Sequence, residues 1–187
     1  MTDLQRASSS PAELLICQTL VEMLHEKPLM DITVKELSAR AHVARSTFYA
    51  HYRNVDDVLE QVEDALITDI ICLNEPVSDP ARTEADDMDF FRSTLDYLDE
   101  HREVMGVLLV ERPDARFIEA WKDGIKGHLR ARYPMRAGTE NGELAMEIAA
   151  SALVAACTYE LKSGDSFDRD FACAIVVHVL QMFKGLP

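Results

Sequence analysis

The chain has 187 residues, of which 48% are apolar, 7 are Gly and 7 are Pro, and its formal net charge is −14. That length holds one large domain or two small ones, and the composition fits a soluble, mostly helical protein. No run approaches 18 apolar residues and the N-terminal MTDLQRASSS has no apolar core, so the expectation is no transmembrane helix, no signal sequence and a cytoplasmic location.

Residues 1–9 read as a disordered arm. Ser10 followed by Pro11 is an N-cap with proline at the first helical position, and the predicted helix runs to about Glu26. Leu14, Cys17, Val21 and Leu24 form its apolar stripe, which Leu20 widens. Lys27-Pro28 stops it. Thr33 followed by Glu36 is a capping box for a second helix, Val34 to about Ala41, with Val34, Leu37 and Ala41 on one face. It is about two turns long and must pack on neighbours. A tight turn at His42-Val43 leads to a third short helix ending near Tyr52. Val43, Phe48 and Tyr52 turn inward there, leaving Arg45, Ser46, Thr47, Tyr49 and His51 outward.

Two short helices joined by a tight turn make a helix-turn-helix, whose second helix enters the DNA major groove in DNA-binding versions. The outward set suits that task. Arg45 can fork onto a guanine edge or a phosphate, Ser46 and Thr47 are short donors, and Tyr49 and His51 can donate to phosphates. The stretch Ile32 to Leu59 also resembles the DNA-binding region of the TetR family of bacterial regulators. The resemblance rests on Thr33-Val34, Leu37-Ser38, Ala41, Val43-Ala44, Ser46-Thr47-Phe48-Tyr49, His51-Tyr52 and Asp56-Asp57-Val58-Leu59. It implies DNA contacts from Thr33, Lys35, Arg45, Ser46, Thr47, Tyr49, His51, Tyr52 and Arg53. Two positions depart from the family pattern. His42 stands in the turn where Gly is usual; positive φ is favoured there, and His is among the non-glycine types that tolerate it. Val55 stands where a phosphate-contacting Lys is usual, with Arg53 as a candidate substitute.

Charge divides the chain at the same place. Residues 1–53 carry six Lys/Arg and six Asp/Glu, whereas residues 54–187 carry 13 and 27. A neutral reading domain, 1–53, is thus expected on an acidic body, 54–187, that repels DNA away from the reading face.

Arg53-Asn54 forms a turn, and a helix of about five turns follows from Val55 to about Leu73, with Val58, Leu59, Val62, Leu66 and Ile70 on its apolar face. Asn74 to Asp89 reads as a mobile linker on account of Pro76, Pro80 and the acids Glu84, Asp86, Asp87 and Asp89. Five further helices are predicted: Phe90 to about Glu100, about Glu103 to Val110, about Asp114 to Arg132, about Gly142 to Lys162 and about Phe167 to Phe183. The fold class is therefore all-α, with about nine helices in a three-helix helix-turn-helix domain and a larger C-terminal domain for ligand binding and dimerisation. The last two helices are apolar on nearly all faces and need cover on both sides, so a two-fold dimer through them is inferred; the resemblance implies the same. Arg112-Pro113 through Phe117 to Trp121, and Tyr159 to Gly164, resemble the regulatory domain of one TetR subgroup.

No G-x-S-x-G, P-loop or H-E-x-x-H pattern is present, and the six His are dispersed, so neither an enzyme nor a metal or other cofactor is expected. The four Cys form no C-x-x-C pair and read as buried free thiols. A pocket for a small-molecule effector is expected between the middle helices, lined by Phe91, Tyr97, Met105, Phe117, Trp121, Met146 and Tyr159. Its ligand would be apolar or, given the acidic field, cationic. The resemblance implies a ligand-responsive repressor that binds a near-palindromic operator. The alternative is a protein-interaction module that keeps the fold without DNA binding.

Overall fold

Local start signals set most helix boundaries. In this computed structural model, which describes residues 10–74, 79, 81, 83–134, 137–163 and 166–185, nine α-helices occur among the described residues and no strand does. Helix α1 (Pro11–Glu26) opens on a complete capping box: Ser10 Oγ accepts from Glu13 N, and the Glu13 carboxylate accepts from Ser10 N. α2 (Val34–Arg40) and α3 (Arg45–His51) follow after a 3-10 turn at Leu29–Asp31. The capping box predicted for α2 is half formed. Thr33 Oγ1 accepts from Glu36 N at 3.2 Å, but the Glu36 carboxylate turns to Lys27 Nζ at 2.5 Å. α4 (Val55–Asn74) starts where Asn54 Oδ1 accepts from Asp57 N at 2.8 Å.

α5 spans Glu84–Glu100, so the acids at 84–89 are helical, which corrects the predicted linker. Thr83 and Asp86 form a second capping box, and acid in a first turn favours the helix dipole. Pro76 and Pro80 lie outside the described residues, as do the predicted arm at 1–9 and Gly164-Asp165. α6 (Arg102–Gly106) passes into a π-helical turn at Val107–Glu111, where Arg112 N–H reaches back to Val107 O at 2.9 Å. α7 (Ala115–Arg132) is capped by the Asp114 side chain; α8 (Glu140–Ser163) and α9 (Arg169–Gly185) complete the chain.

The chain forms two compact units that divide within α4, after Asp69. In the first, α1, α2 and α3 pack on one another around Ile16, Cys17, Leu20, Leu37, Phe48 and Tyr52. In the second, α8 packs on α7 and α9, and α9 also packs on α5, with Phe91, Leu95, Phe117, Trp121, Leu153 and Cys173 buried. Cys17, Cys157 and Cys173 are buried free thiols, whereas Cys72 is exposed, contrary to expectation. Burial pushes the Cys157 thiol well above its ordinary range.

α8 is long and apolar enough to cross a membrane by length and composition alone, which corrects the reading that no such segment exists. Its polar residues are committed inside the unit instead. Glu147 meets Lys122 and Lys126 of α7, and Glu143 meets Arg130 at 2.6 Å. The Lys122 hydrogen bond, with that of Lys126, holds Glu147 at about 2. Arg130, with the Gly138 N–H, does the same for Glu143. These depressed values stabilise the fold fully above about 4.5, the ordinary carboxylate value, and the contribution is lost as pH falls towards about 2. Replacing both Lys122 and Lys126 by Met should flatten the acid limb of the unfolding midpoint over that window, as read by circular dichroism.

A different pair is sealed from solvent. Arg132 donates to both oxygens of Asp87, at 2.7 and 3.1 Å, with both side chains 1% exposed. Arg132 lies over the Tyr133 ring at 5.3 Å, and Gln181 reaches Asp87 from α9. The pair ties α5, α7 and α9 together. Arg132→Met should cost about 3–5 kcal/mol by stranding a buried carboxylate, while Arg132→Met with Asp87→Leu recovers most of it, measured by urea unfolding at fixed protein concentration.

Candidate nucleic-acid interface

α2 ends in a Schellman turn. Val43 N–H bonds Ser38 O at 3.0 Å and His42 N–H bonds Ala39 O at 3.3 Å, with His42 at φ 55°. His42 is the one non-glycine residue at positive φ among the described residues. The left-handed turn sets the angle at which the chain enters α3. Arg40 closes on both oxygens of Glu26, at 2.7 and 2.5 Å, and so fastens the end of α2 to the end of α1.

On α3, Phe48 is fully buried and Tyr52 is 4% exposed. These two, one turn apart, fix which side of the helix is free. Arg45, Ser46, Tyr49 and Ala50 are exposed, and Thr47 is half-buried. Tyr49 stands edge-on to Phe48, with ring centroids 5.6 Å apart at 87°, and is 59% exposed. Thr33 and Lys35 are exposed at the start of α2. Arg45, Ser46, Thr47 and Tyr49 are hydrogen-bond donors, the chemistry that phosphates and base edges accept.

Three predicted contacts sit differently. Tyr52 is corrected: its ring packs against Phe48 and its hydroxyl lies 3.5 Å from Cys17 Sγ, so it belongs to the core, where burial pushes its phenol well up. His51 lies on the flank of α3 with Nδ1 3.0 Å from Glu13 Oε1. Arg53 is exposed but bound along one edge to Asp57, through Nε at 2.8 Å and a terminal nitrogen at 3.2 Å. The partnership with Asp57 holds the Arg53 pKa up and the Asp57 pKa down. Val55 is buried and joins Leu29, Ile32 and Val34 in lining an open groove of about 580 Å³. The residue that sequence reasoning missed is Glu13. Its cap was visible as Ser10-x-x-Glu13; its meeting with His51, 38 positions on, was not.

In the second unit, Phe91, Met105, Phe117, Trp121 and Met146 are buried. Trp121 packs near Phe117 with centroids 6.2 Å apart, and its indole N–H has no hydrogen-bond acceptor among the described residues. Tyr97 is half-buried and stacks on His101 at 4.1 Å. Tyr159 is corrected: it is 63% exposed, beside Phe167, and lines no interior.

No family model matches the chain. A curated relative, the HTH-type transcriptional regulator EthR of Mycobacterium tuberculosis, is 31% identical over 84 residues, which is 44% of this chain and 39% of EthR. The chain thus matches about two fifths of the length of that relative. Among solved structures, SmeT, the repressor of the Stenotrophomonas maltophilia multidrug efflux pump SmeDEF, superposes with a TM-score of 0.70 at 15% identity, covering 97% of this chain and 92% of SmeT. SmeT has also been solved as a triclosan complex. A tetR-family transcriptional regulator from Streptomyces coelicolor superposes with a TM-score of 0.63 at 12% identity, over 92% of this chain and 78% of that one. The chain shares the all-α fold of these regulators. α2 and α3 form a helix-turn-helix, with His42 at the turn, and Val55 opens α4.

The turn is a point of measurable strain. His42→Val should lower stability by about 1–2 kcal/mol because a β-branched side chain resists the left-handed region, whereas His42→Gly should not. Urea unfolding of the two variants beside the parent checks this.

Proposed function

We propose that the chain is a ligand-responsive, DNA-binding transcription regulator, acting as a repressor on a near-palindromic operator. The observation that carries this reading is the exposed row of Arg45, Ser46 and Tyr49 on α3, with Thr47 at its edge, held outward by buried Phe48 and Tyr52. Thr33, Lys35, His51 and Arg53 would meet the backbone beside it. Two such helices in a dimer would enter successive major grooves, about 34–36 Å apart.

The dimer is proposed through α8 and α9. Leu144, Ile148 and Tyr159 on α8, and Phe171, Ile175 and Met182 on α9, are each about half exposed or more. Their spacing at i, i+4 and i+11 or i+15 gives each helix one bare apolar stripe, and a two-fold axis would cover both. A likeness to the triclosan-binding SmeT supports an apolar effector, held among Phe91, Met105, Phe117, Trp121 and Met146. Effector binding would act on α4 through α7. Gly124 of α7 leaves room for Ile71, whose Cγ1 would lie 2.8 Å from an added Cβ, and the His128 ring lies 3.2 Å from the Ile71 carbonyl near the end of α4.

The second reading, an interaction module without DNA binding, draws on buried Val55 and on Arg53 being held by Asp57. One experiment separates the two. Duplexes are selected from a random library and the winner is titrated against salt. A near-palindromic winner whose affinity falls steeply with salt is expected, and Thr47→Ala with Tyr49→Ala should abolish binding while light scattering still finds a dimer. Undiminished affinity in that double variant would sink the assignment of α3 as the reading helix.

A further inference from the structure

Arg40 and Arg53 each meet a carboxylate, but by opposite edges. Arg40 gives its outer edge to Glu26, through Nη1 at 2.7 Å and Nη2 at 2.5 Å, so the fork that would grip a phosphate is already filled. Arg53 gives its inner edge to Asp57, through Nε at 2.8 Å and Nη2 at 3.2 Å. A guanidinium carries five N–H donors in one plane. Asp57 takes one from Nε and one from Nη2, which leaves the Nη1 donors and the second Nη2 hydrogen together on the outer edge. Nη1 makes no hydrogen bond or ion pair among the described residues, and the Arg53 side chain is 87% exposed. That free edge has the bidentate shape that fits a phosphate.

The carboxylate behind Arg53 is itself fixed. Asp57 is 18% exposed, its N–H donates to Asn54 Oδ1 at 2.8 Å, and its Oδ2 also accepts from Arg53 N at 3.0 Å. Arg53 lies between the end of α3 and the start of α4. Asn54, Val55 and Asp56 line one groove with Ile32 and Val34, so the starts of α4 and α2 flank the same opening, with Thr33 and Lys35 exposed beside it. We propose that Asp57 is a positioning residue that holds Arg53 by its inner edge and presents the outer edge to a DNA phosphate. This rests on the DNA-binding reading above. Arg53 then supplies the cation that Val55 cannot, and Asp57 removes in advance the rotamer freedom that a long side chain loses on binding.

Positioning and charge neutralisation predict opposite couplings. A positioned Arg53 contributes more to DNA affinity when Asp57 is present; an Arg53 whose charge is merely cancelled contributes more once Asp57 is gone. The test is a double-variant cycle on the duplex won by library selection, with Kd read by fluorescence anisotropy across a salt series. Arg53→Met should weaken binding and lower the salt slope by about one per protomer. That loss of affinity should be larger by about twofold or more in the parent than in the Asp57→Ala background. A coupling of zero or of opposite sign overturns the proposal, and so does an Arg53→Met variant with unchanged affinity and slope. If Asp57→Ala does not fold by circular dichroism, Asp57→Asn takes its place in the cycle and the same sign is required. A parent whose binding needs Thr47 and Tyr49 but shows no coupling defeats the proposal alone. A parent that binds no duplex defeats the DNA-binding reading, and the proposal with it.

Discussion

A seven-residue helix has no orientation of its own. Two turns are below the length that is stable in water, so everything α3 presents to the outside is decided by what holds its inner side. Three constraints do that. Phe48 and Tyr52 occupy the core formed with α1 and α2, the left-handed turn at His42 fixes where α3 begins, and Glu13 meets its last residue. The apolar pair supplies most of the energy and sets the rotation about the helix axis. The turn sets direction. The Glu13 contact holds the C-terminal end of α3 against the start of α1.

The acidic second unit is stabilised by the same charges that make it acidic. Its carboxylates are not spread as a solvating coat alone. Asp87 is buried with Arg132, Glu147 lies between two lysines, and Arg169 gathers Asp96, Asp99 and Glu160. Glu160, 3% exposed, shows the balance of terms: burial raises its pKa and the Arg169 guanidinium opposes that. The net negative field and the internal cross-links are therefore one design. Removing these acids would unfasten α5, α7, α8 and α9.

How much of this was legible in sequence depended on range. Signals carried within four residues read well: Ser10-Pro11 began α1, and the pattern from Thr33 to Tyr52 placed the helix-turn-helix and even the strained residue at its turn. Composition misled where it competed with capping. The acids at 84–89 look like a solvated linker until Thr83 and Asp86 are seen to start a helix through them. Long-range facts were beyond reach. Nothing local marks Cys17 as the partner of the Tyr52 hydroxyl, or Glu13 as that of His51. Tyr159 and Cys72 stand in apolar helical contexts that promised burial, yet both face outward, because an apolar neighbourhood in sequence does not say which side of a helix finds a partner.

That last point bears on α8. A helix apolar on nearly every face could be a monomer's central core helix, a membrane span or one layer of an interface. As a central core helix it would leave no large apolar side chain exposed, yet Leu144, Ile148 and Tyr159 are 60%, 55% and 63% exposed. As a membrane span it would carry Glu143, Glu147 and Glu160 into lipid, and all three are ion-paired to residues of α7 and α9. Those pairs lock one side of α8 to its own unit. The other side is left bare alongside the stripe of α9, whose Phe171, Ile175 and Met182 are likewise exposed. Two adjacent bare stripes on neighbouring helices offer the surface that the proposed two-fold dimer would cover.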